Sequence, residues 1–222
     1  MSQVTSSVEA VTRVLVVDDD TMVRQFLRQI LTARGLEVVG EATDGDEVVA
    51  AVRAHRPDVV LMDLRMARLD GVRATAAVVE LPDPPGVVAM TSFDTESAIL
   101  DAVHAGAAGF LAKDSGPDEL VAAVEAVAAG DGALSPRAAR VVVEQVGKAS
   151  GARGRDEARA ELARLTDRER EIAHQAARGL TNAQIGAELY LGAATVKTHL
   201  STACHKLGVN RVQLAVLVDR AA

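Results

Sequence analysis

Through the first 130 residues the apolar positions follow two alternating rhythms. Short unbroken runs at Arg13–Val17, Leu36–Glu41, Asp58–Met62, 87–91 ("VVAMT") and 108–112 read as strands. Between them the apolar residues recur at helical spacing. Residues 20–34 carry Val23, Phe26, Leu27, Ile30 and Leu31 and stop at Gly35. Residues 46–55, 70–80, 95–105 (closed by Gly106) and 117–129 (closed by Gly130) repeat the pattern. Five strands in strict alternation with five helices predict a parallel sheet with right-handed crossovers, covered on both faces.

The rhythm changes after Gly130. "LSPRAARVVVEQVG" suits a short helix, and "GKASGARGR" is small, Gly-rich and charged, as in a linker. A further helix is expected from about Arg155 or Asp156. From Leu165 every segment is helical. Thr166 with Glu169, and Thr181 with Gln184, match capping boxes opening helices that run to Gly179 and through Leu189. After the turn "YLGA" a helix is expected over 193–207, stopped by Gly208, and a last one over 210–220. The expected organisation is an α/β domain at 10–130, a partly helical linker at 131–160, and an all-α domain of four helices at 161–222.

Charge sharpens this division. Of the net −7, residues 160–222 hold 8 Lys+Arg against 6 Asp+Glu, or +2, which leaves −9 for residues 1–159. An acidic front and a mildly basic tail point to two different partners. The single cysteine, Cys204, excludes an intrachain disulfide and a cysteine-based zinc site. The first residues lack the pattern of a signal peptide, and no apolar run approaches the ~20 residues needed to span a bilayer. A cytoplasmic setting, away from membranes, is expected.

Chemistry is concentrated where strands should end. "VLVV" runs into Asp18, Asp19 and Asp20, "VVLM" into Asp63, and the fourth and fifth strands into Thr91 and Lys113. In an open parallel sheet the carboxyl ends of the strands form the ligand crevice. Crowded carboxylates repel, and a hard divalent cation relieves them; Mg²⁺ suits a few carboxylates plus water. One carboxylate is then able to attack a phosphoryl group while an ammonium and a hydroxyl hold its oxygens. In this reading Asp63 is the acceptor. Asp18 and Asp19 hold the metal with the Arg65 carbonyl as an extra ligand, and Lys113 and Thr91 bind the phosphoryl group. Taken singly, each residue has an ordinary explanation: Asp20 is a helix N-cap, Thr91 a strand residue, Lys113 a surface charge. Their joint occurrence at four strand ends carries the reading.

Residues 10–130, through "VLVVDDD", "VVLMDLRMARLDG", "VAMTSF" and "AGAAGFLAKD", resemble the receiver domain of two-component response regulators. The resemblance implies a flavodoxin-like sheet of order 2-1-3-4-5 and phosphorylation of Asp63 by a sensor histidine kinase. It also implies Mg²⁺ at Asp18, Asp19 and Asp63, and a switch pair of Thr91 and Phe110. Similar receivers usually have Met-Pro at 66–67, where this chain has Met66-Ala67. Losing that proline loosens the loop by a few tenths to about 1 kcal/mol of chain entropy. Arg65 and Phe93 are expected beside the site, where they tune phosphoryl lifetime.

Residues 165–218, through "LTDREREI", "ARGLTNAQIGAELYLGAATVKTHL" and "KLGVNRVQLAV", resemble the LuxR/NarL/FixJ-type helix-turn-helix domain. The resemblance implies a supporting helix at 181–189 and a recognition helix at 193–207 that enters the DNA major groove. Lys197, Thr198 and Ser201 are expected to face bases or phosphates, and Thr181, Asn182, Thr195, His199 and Lys206 the backbone. Val196, Leu200, Leu207 and Cys204 are expected in the core. Gly192 replaces the commoner Ser at the recognition helix N-cap, at a cost of a few tenths of a kcal/mol, and Gly208–Arg211 is one residue shorter than usual. The segment has few basic residues, so modest affinity per monomer and a homodimer on double-stranded promoter DNA are expected. The competing readings are a constitutive or ligand-gated DNA binder with a vestigial receiver, and a magnesium-dependent phosphatase with an aspartate nucleophile. The leading one is a phosphorylation-switched transcription regulator without enzymatic activity beyond its own Asp phosphorylation and dephosphorylation.

Overall fold

A computed structural model describes residues 11–92, 95–149 and 152–222. In chain order the first part runs β1 (Arg13–Val17), α1 (Thr21–Ala33), β2 (Glu37–Ala42), a 3-10 turn (Gly45–Glu47), α2 (Val48–His55), β3 (Val59–Asp63), α3 (Gly71–Val79), β4 (Gly86–Thr91), α4 (Glu96–His104), β5 (Gly109–Ala112) and α5 (Pro117–Ala128). β6 (Ala133–Leu134), α6 (Pro136–Ala149), α7 (Ala152–Leu162), α8 (Asp167–Ala177), α9 (Asn182–Leu189), α10 (Ala193–Leu207) and α11 (Arg211–Ala221) complete it. Among the described residues no helix is long and apolar enough to cross a membrane.

The sheet is parallel with order β2-β1-β3-β4-β5-β6. The expected five-stranded order is therefore extended by one strand. β6 is a two-residue strand pairing Ala133 with Gly109 and Leu134 with Phe110. Two residues are too few to produce an apolar periodicity, which is why the pattern assigned them to a linker.

Alternation within the central strands builds the two covered faces. Val14, Val16, Val59, Leu61, Val88 and Met90 pack with α1 and α5, while Leu15, Val17, Val60, Met62 and Val87 pack with α2 and α3. Burial on both faces is the reason these strands read as unbroken apolar runs.

The partly helical linker expected at 131–160 carries more helix than its composition suggests. α6 and α7 cover nearly all of 136–162, and α7 begins at Ala152, ahead of the expected start. Ala138, Val141 and Val142 of α6 join the receiver-side core around Ala102, Val103 and Phe110. Leu162 of α7 joins the core of the four C-terminal helices, α8 to α11. The Gly-rich composition hid this, because α7 is a very polar helix whose stability comes from packing on α11.

Candidate functional site

Strand register alone assembles the carboxylates. Val17 pairs with Met62, so the next residues along each strand, Asp18 and Asp63, are neighbours. Asp63 pairs with Met90, and Thr91 with Ala112, so Thr91 and Lys113 fall on the same rim. Potential ligand oxygens of Asp18, Asp19 and Asp63 lie within 4.8 Å of one another. Lys113 Nζ bridges two of them, 2.6 Å from Asp18 Oδ2 and 2.9 Å from Asp63 Oδ2. Asp18 Oδ1 accepts the Asp20 N–H at 2.9 Å, and Asp63 Oδ1 accepts the Arg65 N–H at 3.2 Å. Asp20 itself caps α1, as expected.

Asp18 and Asp63 are buried and Asp19 is exposed at the mouth. Burial pushes the Asp63 carboxyl above its ordinary range, opposed by Lys113 and the Arg65 N–H and reinforced by Asp18. Burial disfavours the Lys113 ammonium, but the Asp18 and Asp63 carboxylates outweigh it and raise its pKa. Three carboxylates and one ammonium leave a formal charge of −2, which one divalent cation neutralises. The donors are all hard oxygens, without His or Cys, so the set fits Mg²⁺ rather than a softer metal. Behind the site, buried Arg24 donates to the Asp18 carbonyl at 2.7 Å and pairs with Glu41 at 3.1 Å. Thr91 and Phe110 are buried, and Phe110 belongs to the cluster that contains Ala138 of α6 and Val212 of α11. Arg65 is exposed beside Asp63; Phe93 lies outside the described residues.

The C-terminal helices form the expected arrangement, with capping boxes at Thr166/Glu169 and Thr181/Gln184. Gly192 caps α10 without a side-chain bond. Val196 and Leu200 are buried; Leu207 and Cys204 pack on the same core. The Cys204 thiol is pushed up to about 11 by burial, against an opposing pull from Arg211, so it stays protonated at neutral pH.

The residues expected to meet DNA divide into two groups. Thr181, Thr195, Thr198 and Ser201 are exposed and His199 is partly so; Thr198 Oγ1 is turned back onto the Ala194 carbonyl. The others already have protein partners. Lys197 Nζ donates to the Ala128 carbonyl at 2.9 Å, at the end of α5. Asn182 is buried, its N–H on Asp131 Oδ1 and its Nδ2 on the Ala129 carbonyl. Lys206 bonds both oxygens of Glu169 at 2.8 Å.

Glu169 is held below the ordinary carboxylate range by Lys206 first, against the penalty of burial, with the Thr166 N–H and hydroxyl adding to the effect. Because its folded pKa is depressed, the stability it adds is present above its ordinary value near ~4.3 and is lost as pH falls through the folded value. Glu169→Gln should therefore lower the melting temperature of the C-terminal helices at pH 6, and the difference from the unaltered chain should shrink below pH ~4. A gap that stays constant between pH 6 and 3 would show that the charge contributes nothing.

Three residues outside the expected set complete this face. Arg211, at the start of α11, pairs with Asp131 at 3.1 Å, with Asn182 Oδ1 at 2.7 Å, and with the Leu180 carbonyl. Asn210 Nδ2 reaches the Ala107 carbonyl, and Gln213 Nε2 the carbonyls of Val103 and His104. Asn210 and Gln213 also form a capping box for α11. Gly130, at φ +83°, lets the chain turn beneath Lys197; a Cβ there would lie 3.4 Å from its side chain.

A doubly wound parallel sheet with an acidic rim, joined to a helix-turn-helix unit, defines a signal-receiving DNA-binding protein. Residues 14–125 match the response regulator receiver domain, and residues 163–218 match the bacterial regulatory proteins of the luxR family. The chain is 37% identical over 210 residues to the transcriptional regulatory protein LiaR of Bacillus subtilis, covering 94% of this chain and 97% of that one. It is 37% identical over 201 residues to the DNA-binding transcriptional activator DevR/DosR of Mycobacterium tuberculosis, covering 90% and 89%. Among solved structures it is similar to response regulator ChrA of a heme-sensing two-component system (36% identity, TM-score 0.52, 95% and 96% covered). The chain belongs to the DNA-binding two-component response regulators, with a receiver domain followed by a LuxR-type helix-turn-helix domain.

Proposed function

We propose that Asp63 is the phosphoacceptor and that its modification frees the recognition helix α10 for promoter DNA. The observation that supports this best is the shared ammonium. Lys113 bridges Asp18 and Asp63 at the sheet rim, with the Asp63 carboxyl just inside the mouth marked by the exposed Asp19. An Asp63 oxygen attacks the phosphorus of a phosphohistidine on the sensor kinase; the O–P bond forms as the P–N bond breaks, and the histidine leaves. Lys113 and the Thr91 hydroxyl hold the phosphoryl oxygens. Asp18, Asp19, Asp63 and the Arg65 carbonyl would hold Mg²⁺, which would supply the remaining positive charge.

Thr91 and Phe110 connect this rim to the interface. As Thr91 moves toward the phosphoryl group, Phe110 shifts within the cluster it shares with Ala138 and Val212. Loosened contacts at α4, α6 and α11 release Lys197 and Asn182 from the receiver. The freed domain then dimerises and presents two recognition helices to half-sites about one DNA turn (~34 Å) apart.

Acetyl phosphate with Mg²⁺ tests the acceptor: the intact mass should rise by one phosphoryl group, located on Asp63. An unchanged mass would favour the constitutive reading. For the tail, Lys197→Ala should weaken DNA binding by the phosphorylated protein and reduce the salt slope by about one unit. An unaltered slope would place Lys197 away from the phosphates.

A further inference from the structure

We infer that Asp44 is a positioning residue for the phosphoacceptor, acting through the loop that joins β3 to α3. The inference rests on Asp63 being the acceptor. Asp44 lies in the β2–α2 connection and is 3% exposed. Its Oδ1 accepts the N–H groups of Gly45 and Leu69, each at 2.8 Å, and its Oδ2 accepts the Arg68 N–H at 2.9 Å. A buried carboxylate thus holds two consecutive backbone groups of a loop 24 and 25 residues away. Burial pushes its carboxyl up, but these N–H groups and the Arg68 guanidinium pull it below the ordinary range, so it is ionised at neutral pH.

A second set of contacts closes the same clamp from outside. The Arg68 guanidinium reaches Asp46 at 2.7 Å and Glu47 at 2.6 Å, both on the 3-10 turn that Asp44 caps. Glu47 is itself fixed by the Thr43 N–H and hydroxyl. Asp70, the remaining carboxylate of the loop, is occupied as the N-cap of α3.

The held loop bears directly on Asp63. Gly71 N donates to the Leu64 carbonyl at 3.0 Å. A Cβ on Gly71 would lie 2.0 Å from the Asp63 carbonyl oxygen, and one on Gly45 would lie 2.3 Å from the Leu69 carbonyl oxygen. The β2–α2 turn, the loop and the acceptor strand therefore touch backbone to backbone. The Arg65 N–H that orients the Asp63 carboxylate comes from the same loop. If residues 68 and 69 drift, the Gly71 contact and the Arg65 bond drift with them. Displacements near 1 Å at a reacting group cost up to about 100-fold in rate. Ala67 leaves the loop without a proline's constraint on φ, so the Asp44 carboxylate carries the ordering instead.

The test uses the full chain. In metal-free protein, Asp44→Asn should raise the hydrogen-exchange rate of the Arg68 and Leu69 amides at least about tenfold, because an amide N–H₂ then faces an N–H, while amides of α8–α11 stay unchanged. With acetyl phosphate and Mg²⁺, phosphorylation of Asp63 should slow about tenfold. Adding Ala67→Pro to Asp44→Asn should recover a substantial part of that rate by restricting the loop through its backbone; the same proline in the unaltered chain should change it little. Arg68→Ala, at an exposed side chain, should give a smaller loss of about twofold to threefold in both readouts, which keeps the inference testable if Asp44→Asn folds poorly. Phosphorylation of Asp44→Asn at the unaltered rate would overturn the inference alone. So would slowing without any change in loop exchange. Absence of Asp63 phosphorylation in the unaltered chain would overturn the underlying reading and this inference with it.

Discussion

Asp63→Asn should take up no phosphoryl group from acetyl phosphate, a fall of roughly 10³-fold or more in rate, and its DNA affinity should no longer respond to that treatment. The change is nearly isosteric, so it removes the nucleophilic charge and little else. Loss of the fold is the trivial explanation of such a result, and the physical setting of Asp63 separates the two. Burial and the Asp18 carboxylate raise the Asp63 pKa despite Lys113 and the Arg65 N–H. A raised carboxyl pKa means that ionisation costs the folded state stability once pH climbs through the folded value, a cost absent below the ordinary range near ~3.9. At pH 7 the asparagine chain, free of that cost, should melt at or above the unaltered chain in metal-free buffer. Each kcal/mol recovered is worth about 2–4 °C for a chain of this size. Uptake of phosphate by Asp63→Asn, at another carboxylate such as Asp18 or Asp19, would mean that the rim is reactive but the acceptor is misassigned. A lower melting temperature with lost uptake would leave Asp63 as a structural residue.

How far the chain could be read without a structure depended on how local each signal was. The central strands were legible because Val14–Val17 and Val59–Met62 are buried on both faces and therefore apolar without interruption. The rim was legible for a related reason: a charge directly after such a run has nowhere to go but the strand end. The capping boxes at Thr166 and Thr181 were legible because both partners sit within four residues. β6 and α7 were not. One is too short for periodicity, and the other is a helix whose polar, Gly-containing sequence is held by α11, far along the chain. The clamp on the β3–α3 loop was equally silent, since Asp44 and Leu69 are 25 residues apart and an aspartate before a glycine reads as an ordinary turn. Asn210, Arg211 and Gln213 were missed because polar residues at a helix start explain themselves as caps. Their second role, on the receiver, depends on a domain arrangement that no short-range pattern encodes.

That arrangement leads to the second large effect. Asp131→Ala should let the unphosphorylated protein bind promoter DNA about tenfold more tightly while leaving the phosphorylated protein nearly unchanged. Asp131 accepts the Asn182 N–H and pairs with Arg211, so one carboxylate ties the supporting helix and the last helix to the receiver. Lys197 is held on the adjacent Ala128 carbonyl, so under the proposed reading DNA and receiver compete for the same side chain. Driving such an equilibrium from 1:99 to 99:1 requires about 5.5 kcal/mol. A single partly buried ion pair contributes part of this; coupling energies of about 1–3 kcal/mol, or 5- to 150-fold, are typical. Removing Asp131 should therefore shift the balance toward the open form without completing the switch. The substitution also makes the chain less acidic, which by itself favours DNA. Asp118→Ala supplies the control, because Asp118 is an exposed carboxylate in the first turn of α5 that pairs with Arg34, at the opposite end of that helix from the Ala128 carbonyl that holds Lys197. If both variants gain affinity equally, general electrostatics accounts for the result. If Asp131→Ala gains and Asp118→Ala does not, and the gain vanishes once Asp63 is phosphorylated, the contact between Asp131, Arg211 and Asn182 holds the recognition helix closed. An Asp131→Ala protein with unaltered affinity would show that the apolar packing of Val141, Val142 and Val212 keeps the domains together without it.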